Sequence, residues 1–336
     1  MATGRHTFGW RALALSGSVW LAVHAPARAA DEAGGTIAVA DLTPETEKAI
    51  DAGLAALVKS QDPEGSWGTH KTATTAVSLM AFMVKGHFPE RPPYGTTLNR
   101  AVDYLLAQAS QGDGYMGKSM YEHGLATLAL SEVWGMSNRA EVRDALKNAV
   151  GVILRSQSPL GGWRYNPTPT DADMSVTVMQ LVALASAKEA GILVPDATIE
   201  KAIGYVLSCQ HAASGGFGYQ PGGEPGFERS AAGVMSLIMC GQRNSPAVNT
   251  GLAYLLAQPG SIFDTSGQYF YGHYYGVQAM YQAGEQYYQE WYPRIREQLL
   301  KKQGADGQWA DGNGIGTQMA ILILGVPYRF LPIYQR

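Results

Sequence analysis

The sequence predicts an all-α fold: six helical hairpins closed into a double-layered ring, an α6/α6 barrel. Three observations predict it. A compound turn motif recurs along the chain, an amphipathic helix pattern precedes each copy, and a helix pattern apolar on all sides follows it. The motif is clearest at 61–67, where Gln61 is followed by Gly65 and Trp67. It recurs at 157–163, 210–217 and 303–309, with weaker copies at 111–115 and 258–269. The aromatics at 67, 115, 163, 217, 269 and 309 stand roughly 40 to 55 residues apart, which makes six units.

Each unit reads the same way. Before the turn, Ile50, Leu54, Leu57 and Val58 keep a spacing of three and four, as do Val102, Leu105 and Leu106 in the second unit. After the turn comes a run rich in small and apolar residues: 74–82, 124–130, 175–184, 231–239, 275–280 and 316–324. Gly86, Gly135, Gly191, Gly241, Gly284 and Gly325 stop these runs. A helix with one apolar stripe belongs outside and one apolar all round belongs inside, so six outer and six inner helices form the ring. The motif itself reads as a staple. Its glycines permit left-handed backbone, its aromatic packs the turn, and its Gln answers open groups at helix ends.

The amino-terminal segment argues export. Arg5, His6 and Arg11 are basic, 12–23 is mostly apolar, and Ala27-Arg28-Ala29 gives the small-x-small pattern of a cleavage site. About a dozen apolar residues are too few to span a bilayer. The expected division is a signal peptide at 1–29, a linker at 30–43 and the ring at 44–336. No later run is long enough for a membrane span, and 315–326 reads as a core helix. A net charge of −3 offers no basic footprint for nucleic acid. Cys209 ends an outer helix and Cys240 an inner one, at opposite faces of the ring, so two free thiols are expected.

Repeats of this Gln-x-x-x-Gly-x-Trp type before small-residue helices resemble the prenyltransferase and squalene-oxidase repeat superfamily, which includes squalene–hopene and other class II terpene cyclases. The likeness covers the chain from about Pro44 to Gly325 and implies an α/α toroid. The segment Asp171-Ala172-Asp173-Met174-Ser175 looks like the Asp-x-Asp-Asp segment of those cyclases. The resemblance implies Asp173 as a general acid, with Asp171 as the neighbour that helps hold it neutral. Met174 stands where the cyclases carry a further Asp, and the chain has room for one ring where they use two domains. The alternative for Asp173 is a helix cap. The zinc-binding Asp-x-Cys of protein prenyltransferases is absent, although Tyr271-Gly272-His273 resembles their late His segment. A zinc site from His123, His273 and Asp173 has no short ligand spacing behind it, so neither metal nor cofactor is expected.

Ring geometry places a site without the resemblance. All inner helices run the same way, so the residues at their starts meet at one mouth. Asp173, Asp171 and His273 are the catalytic candidates there. Glu122, His123, Glu228, Arg229, Tyr271, Tyr274 and Tyr275 are the ligand-binding candidates, beside His70, Asp311 and Asn313. The long turns at 165–170 and 220–226 are placed to overhang it. Three readings stay open: a relative of terpene cyclases that binds or transforms an isoprenoid or other apolar ligand, a non-catalytic repeat scaffold for a ligand or protein partner, and a polysaccharide-active enzyme on a helical ring.

Overall fold

The computed structural model describes residues 42–137 and 139–335. The expected signal peptide and most of the linker lie outside the described residues. Among these residues the chain forms helical hairpins. The outer helices are α1 (Pro44–Ser60), α3 (Gly95–Gln111), α5 (Ala140–Arg155), α7 (Asp196–Ser208), α9 (Pro246–Leu256) and α12 (Glu285–Lys302). The inner ones are α2 (Lys71–Met83), α4 (Met120–Trp134), α6 (Met174–Glu189), α8 (Phe227–Leu237), α11 (Tyr269–Ala283) and α13 (Gly316–Leu324). One short helix, α10 (Gly260–Thr265), is inserted in the fifth unit. No described helix is long and apolar enough to cross a membrane.

Burial sorts the two layers as the pattern requires. The outer helix α5 buries Val142, Leu146, Ala149, Val150, Val152 and Ile153, a single stripe. The inner helix α4 buries nearly every residue from Met120 to Val133. Each inner helix packs against the next, and α13 packs against α2, so the inner layer closes.

The turn motif supplies the circumferential bonds. Gln61 Nε2 donates to Gly65 O within its turn at 2.9 Å and to Thr97 O on the next outer helix at 3.0 Å. Gln157 repeats this on Gly161 O and Thr198 O, and Gln210 on Gly215 O and Ala247 O. Gln303 reaches Ala49 O of the first unit at 2.8 Å, which closes the ring across the whole sequence. The indoles of Trp67, Trp163 and Trp309 donate back to Leu57 O, Ile153 O and Leu299 O. A glycine is required where the turn meets its neighbour: Gly161 has φ +100°, and a Cβ there would stand 2.3 Å from Lys201 O.

A second bond locks each turn to its inner helix. Thr75, Thr177, Ser230 and Thr317 accept the backbone N–H of Trp67, Trp163, Phe217 and Trp309 at 2.8 to 3.2 Å. Units two and five depart from this rule, and both carry a histidine at the corresponding position. His123 Nδ1 accepts Met116 N at 3.1 Å, and its Nε2 donates to Ala149 O on the next outer helix at 3.1 Å. His273 Nε2 donates to Phe263 O of α10 at 2.7 Å. In unit five Gln258 turns back to Tyr254 O of the helix it follows, so α10 and His273 take over the joint.

The far end of the ring is sealed by the chain's own carboxy-terminal segment, which the repeat pattern did not announce. Two single-turn helices, Val326–Tyr328 and Pro332–Tyr334, cross the ends of the inner helices. Ile333 N donates to Glu132 Oε2 at 3.3 Å, and Gln282 Nε2 donates to Ile333 O and Gln335 O. Tyr334 is buried, with its hydroxyl directed at Leu322 O at 3.4 Å.

Candidate ligand pocket at the ring mouth

With that end sealed, the ring is open where its inner helices begin. A cavity of about 520 Å³ occupies this mouth, within the usual range for small-molecule sites. Ala73, Tyr121, Ser175, Arg229, Tyr271 and Ile315 bring the start of every inner helix to it. Leu125 and Met179, more than a turn into their helices, form the deeper lining, and Phe270 adds a ring from the first turn of α11. The helix starts carry His70, Glu122, Glu228, Asp311 and Asn313. The apolar part follows from the inner-helix pattern. The polar rim follows from the helix starts, where side-chain acceptors and carboxylates answer open amides and the dipole.

Capping fixes the rim in place. Ser119 Oγ accepts Glu122 N at the start of α4. Glu122 Oε2 then accepts Lys118 N at 3.3 Å, and its Oε1 lies 3.6 Å from His70 Nδ1. Asp311 Oδ2 accepts Ile315 N at 3.4 Å ahead of α13. Glu228 reaches over the first turn of α11, where its Cγ would lie 3.0 Å from a Cβ at Gly272. Arg229 folds over Gly226, where a Cβ would stand 2.3 Å from Nη2, and its Nε is buried with no hydrogen-bond partner.

Asp173 lies behind this wall. It is fully buried and caps α6, with Oδ1 accepting Val176 N at 3.0 Å. Its Oδ2 is 3.9 Å from Arg164 Nε, and Arg164 also pairs with the half-exposed Asp171. Burial raises the Asp173 carboxyl above the ordinary value, while the Val176 amide, the Tyr219 hydroxyl and the Arg164 guanidinium pull it down. Asp171 and Asp173 therefore share one guanidinium. Neither lines the cavity, whereas Ser175, two residues on, does.

The two long turns are tied down, and no residue of 165–170 or 220–226 lines the cavity. Met120 N donates to Tyr165 O at 2.8 Å, and Met174 N to Tyr219 O at 2.9 Å. Gln220 Nε2 donates to Ala172 O at 2.8 Å, and the Tyr165 and Tyr219 hydroxyls meet across the gap. Tyr219 lines the cavity. Its only sequence signal is its place just before the long turn of unit four, and Ser175 had none beyond its place at a helix start.

The structure brings Glu122, Glu228, Arg229 and Tyr271 together at the cavity as expected from the ring. It places His123 and His273 elsewhere, and the expectation that they meet at the mouth is corrected. Both are buried joints between units, and burial lowers their pKa values to about 4 and about 3, so they are neutral. Tyr274 and Tyr275 are also withdrawn from the cavity: they pack edge-on at 5.0 Å between centroids inside the helical layer. Among the described residues no three His, Cys, Asp or Glu side chains gather as a metal site. Cys209 and Cys240 are free thiols, and burial pushes them up to about 11 and about 12. A second cavity, of about 450 Å³, lies at the seam of units six and one and is lined by staple residues such as Trp67, Gly304 and Trp309.

No protein-family model and no curated protein matches the sequence. Solved structures do match. The type II terpene cyclase MstE from Scytonema, in complex with geranylgeranyl dihydroxybenzoate, superposes with a TM-score of 0.62 at 14% identity, over 86% of this chain and 98% of that one. An inactive variant of the GH76A α-1,6-mannanase of Salegentibacter sp. HEL1_6, in complex with α-1,6-mannotetrose, gives 0.64 at 9% identity, over 86% and 99%. A protein from Actinoplanes gives 0.59 at 15% identity, over 85% and 99%.

The chain has the α/α-toroid fold. At such identities the likeness carries the architecture and not the chemistry. The toroids it resembles hold an isoprenoid-derived substrate in one case and a mannan oligosaccharide in the other, so the lining must decide.

Proposed function

We propose that this toroid binds an amphipathic small molecule, its hydrocarbon part in the ring and its polar end at the mouth, and that it does so after export. One observation carries the reading: a cavity of about 520 Å³ in which Leu125 and Met179, more than a turn into their helices, are apolar, while every charged lining residue stands in the first turn of an inner helix or before it. Apolar surface without a partner is favoured to take apolar ligand, and polar groups at one end fix its direction. The sealed far end makes this a pocket rather than a channel.

The test is direct. The chain beginning after Ala29 is expected to carry lipid when recovered from the exported fraction, seen by mass spectrometry of an organic extract. Met179→Trp, which fills the floor, is expected to weaken binding of an apolar fluorescent probe at least tenfold while leaving the melting temperature within a few degrees. Probe affinity unchanged by this filling would sink the proposal.

A saccharide reading is favoured by a different observation, the ring of Glu122, Glu228 and Asp311 beside Tyr121 and Tyr271. It predicts hydrolysis or tight binding of extracytoplasmic polysaccharide that Glu228→Gln abolishes. The acid-catalysis reading of Asp173 predicts loss of lipid turnover, with binding retained, in Asp173→Asn. Its position behind the wall, sharing Arg164 with Asp171, favours capping.

A further inference from the structure

We propose that the polar end of the ligand is a carboxylate, held by the guanidinium of Arg229 and the hydroxyl of Tyr271 where α8 and α11 begin. This rests on the amphiphile-binding reading above and gives that ligand its class, a long-chain monocarboxylic acid.

The two groups are brought together by the packing of their helices. α8 packs against α11, and the first turns touch: a Cβ at Gly272 would stand 2.7 Å from the ring of Phe227. Arg229 lies in the first turn of α8 and Tyr271 in that of α11, and both line the cavity. Each carries a donor that the protein leaves open. Arg229 Nε and Tyr271 Oη are buried with no hydrogen-bond partner, and among the described residues no carboxylate comes within ion-pair distance of Arg229. Glu228 is its neighbour in sequence, but adjacent positions on a helix do not face each other. The Glu228 Cγ packs toward Gly272 instead. The guanidinium lies against Gly226, where a Cβ would stand 2.3 Å from Nη2 and 2.7 Å from Cζ, so a side chain at that position would displace it.

The helix starts add to the same demand. α4 and α6 have side-chain caps, Ser119 and Asp173, whereas α8 and α11 begin at Gly226 and Gln268 with none. First-turn amides and the helix dipole favour an anion at such a start. The other carboxylates of the lining are engaged at their own helices: Glu122 accepts Lys118 N, and Asp311 accepts Ile315 N. Behind the wall, Arg164 stands beside both Asp171 and Asp173.

A carboxylate answers everything that is open. An alcohol accepts from Arg229 or Tyr271 but leaves a guanidinium without a counter-charge under the ligand, which is costly. An ammonium head would turn to Glu228 and leave both donors unanswered. A carboxylate has two oxygens, one for the planar guanidinium and one for the phenol O–H.

The experiment measures affinities of the chain beginning after Ala29 for dodecanoate, dodecanol, dodecylammonium and dodecane, at about pH 8, where the free acid is ionised. Dodecanoate is expected to bind at least roughly tenfold tighter than dodecylammonium, and tighter than dodecanol. Arg229→Gln is expected to weaken dodecanoate at least roughly tenfold and leave dodecanol and dodecane unchanged, with melting temperature as the check on folding. Gly226→Ala keeps the arginine but displaces it, so it is expected to weaken dodecanoate selectively as well, and it carries the test should Arg229→Gln fail to fold. Tighter binding of dodecanol or dodecylammonium than of dodecanoate overturns the inference. So does a dodecanoate-to-dodecanol ratio that these variants leave intact. If dodecanol and dodecane bind and dodecanoate does not, the pocket reading survives and the head-group inference falls. If none of the four binds, both fall.

Discussion

The two ends of this ring are built from the same repeats and treat buried polarity in opposite ways. At the sealed end the tail and the inner helices answer several buried polar groups. Glu132 accepts Ser186 Oγ and Ile333 N, Gln282 donates to two tail carbonyls, and Tyr334 Oη lies 3.4 Å from Leu322 O. At the mouth the cavity-lining Arg229 Nε and Tyr271 Oη are buried without a well-formed hydrogen bond. Folded proteins rarely leave such groups open, and those that stay open mark a place where something else completes them. One end of the ring therefore serves the fold, and the other holds its unspent recognition capacity.

The largest test of this contrast compares one side chain from each end. Tyr334 is packed on all sides at the sealed end, so Tyr334→Ala is expected to cost about 3 to 5 kcal/mol in chemical denaturation. Met179 faces the cavity and lacks neighbouring atoms on that side, so Met179→Ala is expected to cost less than about 1 kcal/mol. Similar losses at the two positions would mean that the mouth is as tightly packed as the plug.

The ring itself was legible because each motif copy combines several constraints that are hard to satisfy by accident: a Gln for two carbonyls, a glycine where a Cβ would strike the next helix, and an indole for its own helix end. The roles of His123 and His273 were misjudged because a histidine at a helix start suggests chemistry. Register was the available signal. His123 lies eight residues after Tyr115, as Thr75 lies eight after Trp67 and Thr317 eight after Trp309. His123 thus fills a hydroxyl's place in its unit, whereas His273 lies only four residues after Tyr269 and keeps no such register. The plug was not legible at all, since its contacts with residues 132 and 282 are long-range and its short segment has no periodicity. Tyr219 was hidden for a related reason: a loop residue's direction is set by tertiary ties, here Met174 N on its carbonyl.

Glu132 sharpens the contrast through pH. Its carboxyl is buried beneath the tail, and burial raises its pKa from 4.5 to about 7. Below 4.5 the folded and unfolded chains both hold the proton. As pH rises from 4.5 to about 7 the unfolded chain releases it first, so stability falls, by about 3 kcal/mol in total. Glu132→Gln removes this slope and keeps an acceptor for Ile333 N. Its stability relative to the parent is expected to rise steadily between pH 4.5 and 7.5. The acid side works the other way in both proteins: His123 and His273 have lowered pKa values, so stability is lost as pH falls below 6.5 toward about 4 and about 3. A Glu132→Gln difference that does not change with pH would show that the plug carries no buried acid.

The smallest effect concerns the rigidity of the mouth. Gln157 ties its turn to Gly161 O and to Thr198 O on the next outer helix, so Gln157→Ala leaves two part-buried carbonyls open. About 1 to 3 kcal/mol is the expected loss. Gln258 turns back to Tyr254 O of the helix it follows, and Gln258→Ala is expected to cost less than about 0.5 kcal/mol. Denaturant midpoints of the two variants separate these cases. Unit five then stands as the place where the rim is held by α10 and His273 instead of the staple, and where Tyr271 is set against the pocket. Equal losses at Gln157 and Gln258 would mean that the rim is braced alike in every unit, and the contrast between staple and histidine joint would dissolve.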